Sequence, residues 1–189
     1  MPAYNDKNPS NKELWEAAQD LSNGNPTKTN KLIDLSENLK TTTQWDPDIK
    51  MISNPILKKS LNWYNAERIR SPNSNRKTML ENVNQIINNI CFLDVIDQGN
   101  DFKYCKGNEG TGKENTGLLL SNIWTPLQTF IMISSRAIVI KNKPLYSIHA
   151  PIDLVNLPRQ ERLAVPLSNN GDVTRLMITM TSQNKDTAH

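Results

Sequence analysis

Apolar residues recur at helical spacing along the first 70 residues of the chain and again toward residue 140. The first predicted helix begins at a capping box formed by Ser10 and Glu13, in which each side chain accepts a hydrogen bond from the other residue's amide. A second helix is predicted over residues 28–39. A third follows Asn54, because asparagine caps helices and the next residue, a proline, suits the first helical position. A fourth is predicted to begin at residue 125.

Other segments have the alternation or the β-rich composition of strands. The short apolar run at residues 90–96 predicts a central strand, and residues 101–106 are predicted to return beside it. Residues 145–154 predict a further strand. Residues 159–181 predict a hairpin, because apolar alternation on both arms flanks an Asn-Gly pair that suits a type I′ turn. Helices and antiparallel hairpins in this order indicate an α+β fold rather than a doubly wound parallel sheet.

The length of 189 residues suits one domain with additional segments. We expect a helical N-terminal extension over residues 1–50, in which residues 41–47 form a linker. The main domain is predicted over residues 51–182. The polar residues 183–189 are predicted to form a disordered tail.

Charge and apolar content exclude several classes of partner. The net charge of +3 comes from 22 basic and 19 acidic residues, and so even a balance predicts no nucleic-acid partner. The longest apolar stretch, residues 130–140, contains Arg136 and is too short to span a bilayer, so no membrane association is expected. Cys91 and Cys105 form no C-x-x-C pair, and no apolar leader begins the chain. These features predict reduced thiols in a cytoplasmic protein.

The most prominent local motif is a glycine-rich segment from Gly107 to Lys113 that matches G-x-x-x-x-G-K. The position after the lysine is Glu114, where a phosphate-binding loop needs a serine or threonine to hold magnesium. A carboxylate there would repel phosphate groups. We therefore interpret the segment as a flexible connecting loop, and keep nucleotide binding through it as an alternative.

No combination of residues in the sequence indicates catalysis, and the protein is predicted not to be an enzyme. His149 is the one histidine inside the predicted fold, and no nucleophile elbow accompanies it. Ligands at zinc-site spacing are absent from the sequence, so no metal site is predicted. The sequence does not identify a cofactor. A partly buried histidine on a strand is the simplest interpretation of His149, and ligation of a haem or contact with another ligand are the functional alternatives.

A set of short motifs lies between residues 57 and 181, about two thirds of the chain. The run at residues 162–171 (RLAVPLSNNG) is the most specific of them. The other motif positions are residues 61–64, Arg68, Ser71, Pro72, residues 92–95, residues 101–104, Gly107, Thr116, Gly117, Leu120, Lys143 and Pro144. In their order and spacing, these motifs resemble a family of small stand-alone bacterial PAS-type sensory domains.

The resemblance implies a PAS-like, five-stranded antiparallel sheet with helices packed on one face, which N-terminal helices precede in this chain. It implies a non-catalytic sensory or signalling module that binds a small molecule, a partner protein or both. If a ligand lies between sheet and helices, the candidate binding residues are the inward aromatic and histidine positions: Phe92, Trp124, Phe130, Tyr146 and His149.

The N-terminal helices suggest how the module is assembled. An amphipathic helix outside the main domain has to bury its apolar stripe, and a second copy of the chain is the simplest partner for it. We therefore expect a homodimer, with a signalling protein as a further possible partner. The main alternative is an adaptor or structural protein that acts through residues 10–40.

Overall fold

The computed structural model describes residues 9–33, 39–70, 90–105, 116–122, 126–151, 159–169 and 171–183. These contain four α-helices: α1 (Asn11–Ser22), α2 (Thr27–Ile33), α3 (Pro55–Arg70) and α4 (Pro126–Lys141). They also contain six strands: β1 (Leu39–Trp45), β2 (Ile90–Ile96), β3 (Asp101–Tyr104), β4 (Leu145–Pro151), β5 (Arg159–Asn169) and β6 (Asp172–Gln183).

All six strands pair antiparallel in one sheet, in the order β1-β4-β5-β6-β2-β3. The predicted α+β class is therefore confirmed. The sheet has six strands, however, where five were expected.

Helices cover both faces of the sheet, and this corrects the expectation that they pack on one face. Neighbouring residues of a strand point to opposite faces. On β5, Ala164 packs in a cluster with residues of α1 and α4, whereas Leu163 packs with Leu57 and Leu61 of α3. We call these two surfaces the α4 face and the α3 face.

Strand β1 departs most from the sequence-based prediction, because residues 41–47 were interpreted as a linker. Residues of β1 pair with β4 from Leu39 to Trp45, so the stretch is an edge strand. The indole Nε1 of Trp45 donates a 2.8 Å hydrogen bond to the carbonyl of Leu21 at the end of α1. The second predicted helix is correspondingly shorter: α2 ends at Ile33, and β1 begins at the residue where that helix was expected to end.

Helix α1 begins as its sequence predicts. The amide of Glu13 donates to the Ser10 hydroxyl, and the Glu13 carboxylate accepts from the Ser10 amide at 2.8 Å. Its apolar side then packs against α4 in the core of the α4 face, and the residues buried there are Leu14, Ala17, Ala18 and Leu21. The first 50 residues thus contribute two helices and a strand to the same core as the main sheet.

The two hairpins form close to where they were predicted. Strand β2 has the predicted bounds, and β3 returns beside it. β5 and β6 flank Gly171, whose φ of +91° is the left-handed conformation that the predicted turn requires. No helix in the described part of the chain is long and apolar enough to cross a membrane. The cytoplasmic location stays a prediction.

Candidate functional site

The structure separates the candidate ligand-binding residues into two groups. Phe130 of α4 and His149 of β4 lie on the α4 face, where their rings meet. Phe92 and Tyr146 belong to the apolar cluster on the α3 face. Trp124 lies outside the described residues. The four described candidates therefore lie on two faces of the sheet, and among them the rings of Phe130 and His149 are in contact.

His149 is held by hydroxyl groups from its own strand and from the strand beside it. Its Nδ1 lies 3.1 Å from the hydroxyl of Thr41 on β1, and its Nε2 lies 3.4 Å from the hydroxyl of Ser147 on β4. The Phe130 ring meets the imidazole edge to face, with centroids 4.5 Å apart. The side chain is only 4% exposed. A ring fixed on both nitrogens and on its side has a defined orientation.

Burial and, as the smaller cause, the nearby positive charge of Arg162 together lower the pKa of His149 to about 4. His149 is therefore a neutral imidazole at neutral pH. One of its ring nitrogens donates a hydrogen bond and the other accepts one.

Arg162 is the unusual member of this region. It lies on β5 and is 2% exposed, and its guanidinium carbon is 5.9 Å from the centre of the Phe130 ring. Among the described residues, no hydrogen-bond acceptor contacts any of its three guanidinium nitrogens. The thiol of Cys91 and the hydroxyl of Tyr104 are close enough to interact with its charge. We call Arg162, His149, Ser147 and Phe130 the Arg162 cluster.

A buried guanidinium without acceptors is energetically unfavourable. Each buried polar group without a hydrogen bond costs about 1–3 kcal/mol, and a charged group costs more. A cation–π contact near the 6 Å limit offsets little of this cost. Arginine keeps its proton in folded proteins, so neutralisation is not available as a remedy. The cluster therefore contains a charge that an acceptor from outside the described residues would stabilise.

A second buried arginine, on the same side of the sheet, has hydrogen-bond acceptors for its guanidinium. Arg136 of α4 donates to the carbonyls of Gly99 and Asn100 and to the backbone and side-chain oxygens of Asn11. Its guanidinium also stacks over the Trp15 ring at 4.8 Å. Arg136 thus fastens the start of α1 to the β2–β3 turn, and its role is structural.

The residue before Arg162 is an acidic residue that is buried on the opposite face. Glu161 is fully buried, and its Oε2 accepts a 2.9 Å hydrogen bond from the hydroxyl of Tyr146. Adjacent positions of β5 therefore place an acidic side chain on the α3 face and a guanidinium on the α4 face. Tyr146, one of the predicted ligand contacts, donates the hydrogen bond to Glu161.

The chemistry of the cluster is that of hydrogen-bond donation to an anion. Burial raises the pKa of the Cys91 thiol to about 11, so it is not a thiolate nucleophile at neutral pH. Within the described ranges, no group of three or more His, Cys, Asp or Glu side chains is arranged to hold a metal ion. Arg162 offers up to five N–H donors, and Ser147 is its register partner on the neighbouring strand β4.

Sequence reasoning did not single out Arg162 as a site residue, although a signal was present. Leu163, Val165 and Leu167 alternate along the first arm of the hairpin, and this alternation taken alone puts Arg162 on the opposite side of the strand. The intervening residues Ala164 and Pro166 are apolar too, so the run is continuous. Continuous apolar runs are typical of strands buried on both faces, and on such a strand an arginine is buried as well.

Comparison with known proteins identified no relative: no family model, no curated protein and no solved structure matches the chain. The assignment of a function therefore rests on the residues themselves.

Proposed function

We propose that the protein is a non-catalytic, PAS-like sensory module that binds a small molecule between α4 and the sheet, beside Arg162. The single observation that carries the proposal is the buried guanidinium of Arg162, which has no acceptor among the described residues. Buried polar groups are almost always hydrogen-bonded, and an exception in a native fold calls for a partner. A bound ligand is such a partner.

The resemblance to PAS-type domains supports the same location. Strands β2 to β6 contain most of the residues that carry it, and Arg162 begins its most specific run, residues 162–171. Strand β1 is an addition to the five strands that the resemblance implies. Helix α3 on the second face is a further difference.

Contacts connect the Arg162 cluster through α4 to α1, and directly to β1, so a change at the cluster is transmitted to these elements. Phe130 belongs to α4, and the last residue of α4, Lys141, donates a hydrogen bond to the carbonyl of Ser22 at the end of α1. Thr41 connects His149 to the edge strand β1. A ligand that stabilised the cluster would therefore favour the packing of α4, α1 and β1 together.

The alternatives gain no comparable support. The apolar stripe of α1, which motivated a homodimer and an adaptor role, is buried against α4 of the same chain. A homodimer and a signalling partner remain predictions, and no contact among the described residues bears on them. The Gly107–Lys113 segment lies outside the described residues, so nucleotide binding through it stays an untested alternative.

The proposal is tested by denaturing the purified protein and identifying the released small molecules by mass spectrometry. The matched control is Arg162→Met, which keeps the length of the side chain and removes its charge. We expect one compound to be released near stoichiometrically from the wild type and in much smaller amount from the variant. Equal release from both proteins, or no released compound, would count against the proposal.

A further inference from the structure

We propose that the ligand of the Arg162 cluster is a small organic acid, held through a carboxylate by Arg162 and carrying an apolar body against Phe130. This inference deepens the proposed function and rests on it. The guanidinium is a planar fork whose N–H groups match the two oxygens of a carboxylate, so one such group satisfies two donors at once.

Charge favours a monoanion over a phosphate. His149 is neutral at neutral pH, because burial and Arg162 both lower its pKa. Among the described residues, the other polar groups near the guanidinium are uncharged: the Ser147 hydroxyl, the Tyr104 hydroxyl and the Cys91 thiol. One buried positive charge balances one carboxylate. A phosphate dianion would leave a net negative charge in the interior, which is costly to bury.

The residues around the guanidinium favour a ligand that is apolar outside its carboxylate group. The Phe130 ring borders both Arg162 and His149, and Cys91 lies in the apolar cluster of the α4 face. Cys91 and Phe130 are both buried. A ligand with further charges or many hydroxyls would leave those groups without partners there. An aromatic or short aliphatic monocarboxylic acid meets both requirements.

The test compares each acid with its neutral amide by isothermal titration calorimetry of the full chain. The probes are sodium benzoate against benzamide and sodium hexanoate against hexanamide, at constant ionic strength set with sodium chloride. Acid and amide have nearly the same shape, so the comparison isolates the carboxylate charge. We expect an acid to bind saturably and its amide to bind about 10- to 100-fold more weakly, the usual effect of a charged hydrogen bond.

Two variants test whether Arg162 is the residue responsible for the preference for the acid over its amide. Arg162→Met is expected to abolish the preference for the acid. Arg175→Met removes the same unit of charge from β6, where Arg175 pairs with Asp94, and is expected to retain the preference. If Arg162→Met does not fold, the acid and amide comparison on the wild type decides the matter without it.

Several results would overturn the inference. They are equal affinity for acid and amide, absence of binding by both acids, stabilisation by chloride alone, and an unchanged preference in Arg162→Met. The proposed function fails differently. If denatured wild-type protein releases a neutral compound that Arg162→Met does not carry, small-molecule binding stands and the carboxylate inference is wrong.

Discussion

The rings of His149 and Phe130 meet edge to face, with centroids 4.5 Å apart and planes inclined at 77°. This contact joins β4 to α4 beside the buried guanidinium of Arg162. Because His149 is neutral, the only formal charge in the Arg162 cluster is that of Arg162 itself.

Replacing Arg162 by methionine is expected to stabilise the ligand-free protein. Methionine fills a similar length with apolar atoms and removes a buried charge that has no acceptor among the described residues. The free energy of unfolding should rise by about 1–3 kcal/mol. Urea denaturation, after refolding to remove bound small molecules, measures the change. A loss of stability of similar size would show that the guanidinium makes stabilising contacts.

The same substitution at Arg136 is expected to act in the opposite direction. Arg136→Met leaves the carbonyls of Gly99 and Asn100 and the oxygens of Asn11 without their donor. We expect a loss of about 3 kcal/mol or more in the free energy of unfolding. The two variants are compared in one urea series. Equal changes in the free energy of unfolding for the two variants would contradict the view that the Arg136 guanidinium is hydrogen-bonded and that of Arg162 has no acceptor among the described residues.

Because His149 is buried as a neutral imidazole, we expect the folded protein to lose stability in mild acid. Its pKa falls from 6.5 in the unfolded chain to about 4 in the fold, so between these values the unfolded state binds more protons. Stability is therefore fully present above about pH 6.5 and is lost as the pH falls toward about 4, by up to about 3 kcal/mol.

The measurement is the difference in unfolding free energy between wild type and His149→Gln at a series of pH values. Glutamine does not titrate, so the contribution of the acidic residues is similar in both proteins. The difference should shrink as the pH falls through this range. A difference that is constant with pH would show that His149 is not held neutral.

Helix α1 is predicted to be part of the core. Leu21 is fully buried in the cluster of the α4 face, and Leu21→Ala should lower the free energy of unfolding by about 2–5 kcal/mol. Met51→Ala is the control, because that side chain is 63% exposed and should change stability little. Tryptophan fluorescence in urea follows both. A small effect at Leu21 would indicate that α1 packs only loosely on α4.

Local signals in the sequence predicted most elements of the fold. The capping box of Ser10 and Glu13, the cap at Asn54 and the left-handed backbone at Gly171 depend on short-range backbone chemistry, and each lies where it was predicted. β2 was predicted from its apolar run alone. Such signals act within a short stretch of the chain and do not depend on which elements become neighbours in the fold.

The elements that were missed depend on long-range pairing. The polar stretch TTTQW has no apolar run, and it becomes strand β1 because β4 offers a free edge and α1 accepts the Trp45 hydrogen bond. The second helical layer on the α3 face was also missed. That layer buries Glu161 and Tyr146 together, whereas the resemblance to PAS-type domains implied helices on one face of the sheet.

The candidate site was predicted in part. Phe130 and His149 were selected as inward residues of a helix and a strand, and the fold brings their rings together. Phe92 and Tyr146 are inward too, but their register places them on the other face. Arg162 was overlooked because arginine on a strand is ordinarily exposed. Only the presence of helices on both faces makes it a buried charge.

The most direct test of the central claim is a crystal structure of the protein purified without a refolding step. We expect non-protein electron density within hydrogen-bond distance of two guanidinium nitrogens of Arg162 and in contact with the Phe130 ring. A guanidinium bonded only to protein oxygens or to water would contradict it.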